Sequence, residues 1–375
     1  MTRRPPAVIR DQAPPVTTRS DPRPASGASP GPVASRGRLV AFALVFVLAV
    51  GTAVGYSIRA ARQAATTRPA ASAAADGPPV RLDPAAGPHL GFVGTDLDRS
   101  YGTLALVPAG TPEAEPRLSQ LNCQVVHAAG GRGLCLAPER ELIAYQATVF
   151  DDGFRAVGRI PLTGLPSRTR VAPGGEIGAM TVFVSGHSYA IAGFSTATTL
   201  VDMARGRTIA NLEDFTVTSG GRRLEAPDVN FWGVTFTPDA KGFYATLGTG
   251  GETYLVKGDV ARRTAEVVRT NVECPSLSPD GTRIVFKKRV DRGLGPVQWR
   301  LHLLDLATLE ETPLAETRNV DDQVEWLDDR WVAYGVPRDP PSAVTDTWVV
   351  PVDGSETPRV LVSGGRSPVA VGQWP

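Results

Sequence analysis

Lysine is almost missing from this 375-residue chain: Lys241, Lys257, Lys287 and Lys288 stand against 35 arginines. Together with abundant Ala, Gly and Pro, this suggests a GC-rich bacterial coding sequence. Histidine is equally sparse. His89, His127, His187 and His302 are scattered and form no ligand pair. Only three cysteines are present, Cys123, Cys135 and Cys274, and their spacing excludes a CxxC-type metal site. Positive charge is lacking where nucleic acid would need it. The first 38 residues carry +5 and the remainder −4, so the body has no basic footprint for DNA or RNA. The segment "GTGGET" (248–253) is Gly-rich but joins two strands and precedes no helix, so it is a hairpin and not a phosphate cradle.

What is present falls into unequal parts. Residues 1–37 hold eight prolines and almost no large apolar side chains. They cannot bury a core and are expected to be a disordered basic tail. Residues 38–58 follow as a transmembrane helix. Its run from Leu39 to Ile58 has twenty residues and no charge. At ~1.5 Å per residue such a helix spans ~30 Å, the hydrocarbon thickness. A secretory signal has a shorter apolar core with a cleavage site soon after. No cysteine follows that would make it a lipoprotein signal. Arg3-Arg4 lies too far upstream to act as a twin-arginine signal. The arginine excess before the run places the tail inside and the rest outside. Residues 59–88 read as an Ala/Pro-rich spacer, too polar to pack.

From residue 89 onward the pattern is β. In "CPSLSPDGTRIVFKKR" (274–289), Ser278-Pro279-Asp280-Gly281 is a turn, and Ile284 and Phe286 share one face of the strand that follows. Copies of this turn-then-strand unit occur in "CLAPERELIAYQA" (135–147), "VFVSGHSYAIAGF" (182–194), "FTPDAKGFYATLG" (236–248) and "VEWLDDRWVAYGV" (324–336). The chain ends at Trp374-Pro375, as another copy begins. Taken at positions 138, 186, 238, 279, 328 and 375, the turns recur at steps of 48, 52, 41, 49 and 47 residues. Six turns imply an all-β, six-bladed β-propeller over 89–375. The last copy lacks its remaining strands, and residues 90–122 lack an inner one. The C-terminal segment 368–374 is therefore expected to supply the innermost strand of the first blade and close the ring.

"PSLSPDGTRIVFKKR" followed by "RLHLLDLATLEETPL" (300–314) resembles the repeat of TolB-like six-bladed propellers, and the resemblance extends over about 88–375. It implies a periplasmic or extracellular propeller that works by binding proteins. Where that family carries a small domain before its propeller, this chain has the apolar run and the spacer.

Few residues invite a chemical reading. Gly186-His187-Ser188-Tyr189-Ala190 is similar to a nucleophile elbow, but strand and loop follow where a helix is needed, so a turn is expected. Asp96, Asp98 and Ser100 have the opening spacing of a calcium loop without its glycine or its closing acidic residue. The pairs Asp151-Asp152, Asp321-Asp322 and Asp328-Asp329 read as turn residues. Asp228, Asn230, Asn271, Glu273 and Glu325 lie near inner strands and supply the side chains that a channel metal would need. Cys123 and Cys135 bracket a hairpin with Gly130-Gly131 at its tip, and outside the membrane they are expected to form a disulfide. Cys274 is left as a buried thiol. No catalytic residue, cofactor or metal site is assigned. The leading expectation is a membrane-tethered module that binds a protein or cell-envelope component. The alternative is a channel-site enzyme such as a metal-dependent lactonase.

Overall fold

The computed structural model describes residues 81–82 and 87–375, except 99, 140–143, 185–194, 291–295, 340–342, 373 and 375. The tail, the apolar run 38–58, most of the spacer, the 186–190 segment and Pro375 lie outside the described residues. No described helix is long and apolar enough to cross a membrane.

Six sheets follow one another along the chain. Blade 1 holds β1 (His89–Gly94), β2 (Thr103–Pro108) and β3 (Arg117–Asn122). Blade 2 is β4 (Val125–Ala129), β5 (Arg132–Pro138), β6 (Tyr145–Asp151) and β7 (Ala156–Leu162). Blade 3 is β8 (Leu165–Val171), β9 (Ile177–Val184), β10 (Ser195–Asp202) and β11 (Arg207–Asn211). Blade 4 adds β12 (Thr216–Ser219) and β13 (Arg222–Arg223) to β14 (Asn230–Phe236), β15 (Gly242–Thr249), β16 (Glu252–Asp259) and β17 (Thr264–Thr270). Blade 5 is β18 (Glu273–Leu277), β19 (Arg283–Arg289), β20 (Trp299–Asp305) and β21 (Glu311–Pro313). Blade 6 is β22 (Glu325–Trp326), β23 (Trp331–Pro337), β24 (Thr345–Pro351) and β25 (Arg359–Val362). The last strand, β26 (Gly365–Val371), pairs antiparallel with β1 and becomes the innermost strand of blade 1. Ring closure by the C-terminus is thus as expected. Val369 and Val371 pack with Val93, Leu104 and Leu106, and Trp374 packs with the Leu90–Phe92 cluster.

The quoted turn works as its chemistry requires. Gly281 takes φ +73° and its N–H donates to the Ser278 carbonyl at 2.8 Å. Asp280 Oδ1 accepts from the Thr282 N–H at 3.0 Å, and Ser278 Oγ accepts from the Arg283 N–H at 3.0 Å. The turns at Pro238 and Asp328 also link inner to second strands, but two expected positions are wrong. In blade 2 that turn is Gly130-Gly131, with φ +56° and +71°, and Pro138 ends the second strand. In blade 3 it runs through 172–176, with Gly175 at φ +75°, and position 186 falls after the second strand. Both turns place glycine at positive φ, at Gly130, Gly131 and Gly175, where blade 5 uses Pro-Asp-Gly. The even spacing also hid the β12–β13 hairpin, whose β12 pairs parallel with β17 and makes blade 4 six-stranded.

Two links pin the first and second blades. Cys123 and Cys135 are bonded, with Cα atoms 5.3 Å apart, tying the residue after β3 to the middle of β5. Cys274 is free and buried. The spacer, expected not to pack, does so at its end. Leu82 is 4% exposed and lies in the core with Val126, Ala128, Val369 and Val371. Its N–H donates to the Asp152 carbonyl at 2.7 Å, and Arg81 pairs with the Asp152 carboxylate at 2.5 Å. One well-placed leucine outweighs the polarity of the segment around it.

Candidate functional site at the channel mouth

Every inner strand runs in the same sense. Its C-terminal end enters a tight turn on one face of the ring, and its N-terminal end starts on the other face, here called the mouth. The second strands therefore end on the mouth side, at Gly94, Arg289 and Pro337 among others, and the third strands begin there.

Four inner strands are bulged at this end. One extra residue sits between Pro166 and Arg168 in β8, between Trp232 and Thr235 in β14, between Glu273 and Ser276 in β18, and between Arg366 and Val369 in β26. Gly233, Cys274 and Ser367 take φ of +61°, +47° and +50° in three of them. Gly233 cannot be otherwise, because a Cβ there would meet the Cys274 Cα at 2.6 Å. Pro166, Pro275 and Pro368 accompany the bulges, since proline cannot donate to the ladder. Bulges re-aim side chains, and strained backbone gathered at one level marks a constructed surface.

The re-aimed residues form a charged cup. Arg168 of blade 3 donates to the Asp321 carbonyl at 3.2 Å and meets its carboxylate at 3.4 Å. Blades 3 and 6 face each other across the ring, so this contact crosses the axis. Lys287 pairs with Asp321 at 2.5 Å and stands 3.9 Å from Glu273 and 4.3 Å over the Trp299 ring. The Trp299 indole N–H donates to Glu273 at 3.0 Å. Burial works against the Arg168 charge, but the Cys274 sulfur, Asp322 and Asp321 outweigh it and hold the guanidinium above its ordinary value. Asp322 accepts from the Gly335 N–H at 2.8 Å and the Gln323 N–H at 2.9 Å, yet burial pushes its carboxyl up.

Below the cup a second set of residues crosses the axis. Arg170 of blade 3 pairs with Glu325 of blade 6 and donates to the Val324 carbonyl at 2.9 Å. The Val171 N–H donates to His127 Nδ1 at 3.0 Å, so the ring hydrogen is on Nε2, which donates to Glu325 at 3.1 Å. Glu325 also accepts from the Ala370 N–H at 3.1 Å. Burial keeps His127 below its ordinary value; Glu325 opposes this and Arg170 reinforces it. Burial raises Glu325, and His127 and Arg170 more than reverse that. Gln323 donates to the Val234 and Pro275 carbonyls at 3.0 and 2.9 Å, joining blades 6, 4 and 5. Side chains therefore bar the axis, and the mouth is a cup rather than a passage.

The polar residues singled out for a channel site do not converge. Asp228 caps a hairpin, accepting from Thr249 Oγ1 at 2.6 Å and the Gly250 N–H at 2.7 Å. Asn230 accepts from the Thr196 N–H at 2.9 Å, and Asn271 exchanges hydrogen bonds with the Arg289 backbone at 3.0 Å. Only Glu273 and Glu325 reach the axis region, one in the cup and one in the plug. Among the described residues no three His, Cys, Asp or Glu side chains gather to hold a metal ion. Asp98 accepts from the Ser100 N–H at 2.7 Å and its hydroxyl at 2.6 Å, a turn rather than a calcium loop. Asp151 and Asp328 are turn residues as expected. Asp321 is not; it is the anion at the centre of the cup. His127, Arg168, Arg170 and Arg366 were missed. Prolines inside strand-like stretches at 166, 275 and 368 were the available signal.

No protein-family model matches the chain, and no curated protein matches it by sequence. Solved structures do match in shape. TolB from Acinetobacter baumannii aligns with TM-score 0.53 and 14% identity, covering 76% of this chain and 67% of that one. A chain of the nidogen/laminin complex aligns with TM-score 0.51 and 11% identity over 76% of this chain and 98% of that one. A putative TolB from Agrobacterium tumefaciens aligns with TM-score 0.48 and 12% identity over 75% and 91%. At these identities the likeness is one of fold, and the chain carries a TolB-like six-bladed β-propeller.

Proposed function

We propose that this protein is a membrane-tethered, extracytoplasmic propeller that binds a protein or cell-envelope component on its mouth face. The observation that carries the proposal is the distribution of exposed apolar side chains. The four most exposed large apolar side chains among the described residues, Leu97 (82% exposed), Tyr101 (55%), Leu165 (51%) and Val290 (50%), rim the mouth from blades 1, 3 and 5, whereas the less exposed Val157, Ile209 and Val360 lie on outer strands and Leu309 at a turn. Apolar residues around a rigid, polar centre fit a docking surface. The cup's carboxylates are engaged by Arg168, Lys287, the Trp299 indole and backbone N–H groups, which favours this over the channel-site lactonase.

Photo-cross-linkers placed at Leu97 and Val290 in intact cells should yield a discrete adduct. The same probe at Leu309, at the turn end of blade 5, should not. An adduct at Leu309 with none at the mouth would overturn the assignment. Protease added to spheroplasts should digest the propeller and spare the N-terminal tail; a protected propeller would reverse the topology.

A further inference from the structure

Arg366 stands at the mouth end of β26, opposite Val93 of β1 and next to the Ser367–Pro368 bulge. It differs from every other cation at the axis. Lys287 has Asp321 and Glu273, Arg168 has Asp321, and Arg170 has Glu325. Arg366 forms neither a hydrogen bond nor an ion pair with any described residue, and its Nε is buried without a partner. Asp322 is the carboxylate near enough to act on it, but that group already accepts from two backbone N–H groups. Burial lowers the Arg366 pKa, and Tyr101 and Asp322 only partly offset that. The Nε atoms of Arg168 and Arg170 are also buried without a partner, but both side chains are anchored to a carboxylate through a terminal nitrogen, and Arg366, half-buried, has no such anchor.

The surroundings suit a ligand group. Gly335 packs close by: an added Cβ would lie 3.9 Å from the Arg366 Cβ but only 3.1 Å from both Asp322 Oδ2 and Thr345 Cγ2, so this side is filled and a ligand group would approach the half-buried Arg366 from its solvent side. Tyr101, more than half exposed, offers a phenol donor nearby. A guanidinium presents a planar fork of donors that matches a carboxylate in two parallel hydrogen bonds. Asp321, Asp322 and Glu273 share the cup and would repel a dianion, so a single negative charge fits better than a phosphate.

We infer that Arg366 is the receptor for an incoming carboxylate at the channel mouth. Its source is either a polypeptide, through an acidic side chain or C-terminus, or a free organic acid. The inference rests on the mouth being the docking surface and adds the chemistry of what docks there.

The test uses the full chain in detergent and follows thermal melting in sodium acetate against sodium chloride at equal ionic strength. Acetate should raise the wild-type midpoint saturably and leave Arg366→Gln unmoved. Arg366→Lys, which keeps the charge but loses the fork, should respond more weakly than wild type. In chloride, Arg366→Gln should melt no lower than wild type, because an unpaired cation has been removed. An equal acetate response in wild type and Arg366→Gln overturns the inference. So does a larger Arg366-dependent shift with phosphate than with acetate. If Arg366→Gln does not fold, a full acetate response in Arg366→Lys is the refuting result. Penta-alanine with a free C-terminus, compared with its amide, separates the sources. Action of the free acid at a tenth of the acetate concentration or less assigns a polypeptide; equal potency assigns a free acid. Cross-linking at Leu97 and Val290 separates the two readings. Adducts with no acetate effect leave the docking surface and remove the receptor. An Arg366-dependent acetate effect without adducts keeps the receptor for a free acid and removes the docking surface.

Discussion

Deleting residues 368–375 tests the closure of the ring. The deletion removes most of β26 and leaves β1 and β4 without their neighbour at the seam of blades 1 and 2. Val369 and Val371 are 1% and 8% exposed in the native chain. Full burial of a valine contributes about 1.5–3 kcal/mol, so the pair accounts for about 3–6 kcal/mol. The ladder partners His89–Val371, Leu90–Ala370 and Gly91–Val369 are lost as well, and Trp374 leaves the Leu90–Phe92 cluster. Leu82 loses the two valines that cover it. Against a total stability of about 5–15 kcal/mol, losses of this size leave little net stability. The truncated full-length protein in detergent should show no cooperative near-UV circular dichroism transition and should aggregate on gel filtration. Val369→Ala should fold and lose about 1.5–3 kcal/mol, lowering the midpoint by several degrees. A truncated protein that melts cooperatively near the intact midpoint would refute the closing role of β26.

The Cys123–Cys135 bond closes a short loop across the same seam, worth about 3 kcal/mol in the chain-entropy account. Reduction should lower the wild-type midpoint and leave a Cys123→Ser/Cys135→Ser double variant unchanged; peptide mapping without reductant that joins Cys274 to either would contradict the structure. Glu213 accepts from the Thr198 N–H at 3.0 Å and the Phe231 N–H at 3.3 Å, and burial pushes its carboxyl up from 4.5 to about 7. A raised carboxyl contributes stability below pH 4.5 that is lost as pH rises to about 7, up to about 3 kcal/mol. Glu213→Gln should abolish that loss and melt above wild type at pH 8, and parallel pH profiles for the two proteins would reject the assignment. His127, held neutral, acts in the opposite window: the wild type should weaken as pH falls below its ordinary value of 6.5, and His127→Gln should flatten that slope.

Local chemistry made much of the propeller readable. Strands such as 283–289 alternate by residue, and Pro-Asp-Gly sets a turn within four positions, so blade 5 could be placed from its own residues. Ring closure was legible because a blade cannot be left unfinished without exposing an edge. The cysteine pair was legible from its short spacing around a glycine tip. The phase of blades 2 and 3 was not, because Gly-Gly turns occur in both kinds of hairpin connection and only pairing tells them apart. Burial of Leu82 was equally hidden, since its pocket is built from Val126, Ala128, Val369 and Val371, the last two nearly three hundred residues away. The cup and the plug belong wholly to the tertiary structure. His127, Arg170 and Glu325 carry no spacing signal, because 43, 155 and 198 residues separate the pairs among them. A charge in sequence is indifferent to such partners. Only the closed ring brings blade 3 opposite blade 6 in a desolvated centre, where each charge must find its counterion or, as at Arg366, wait for one.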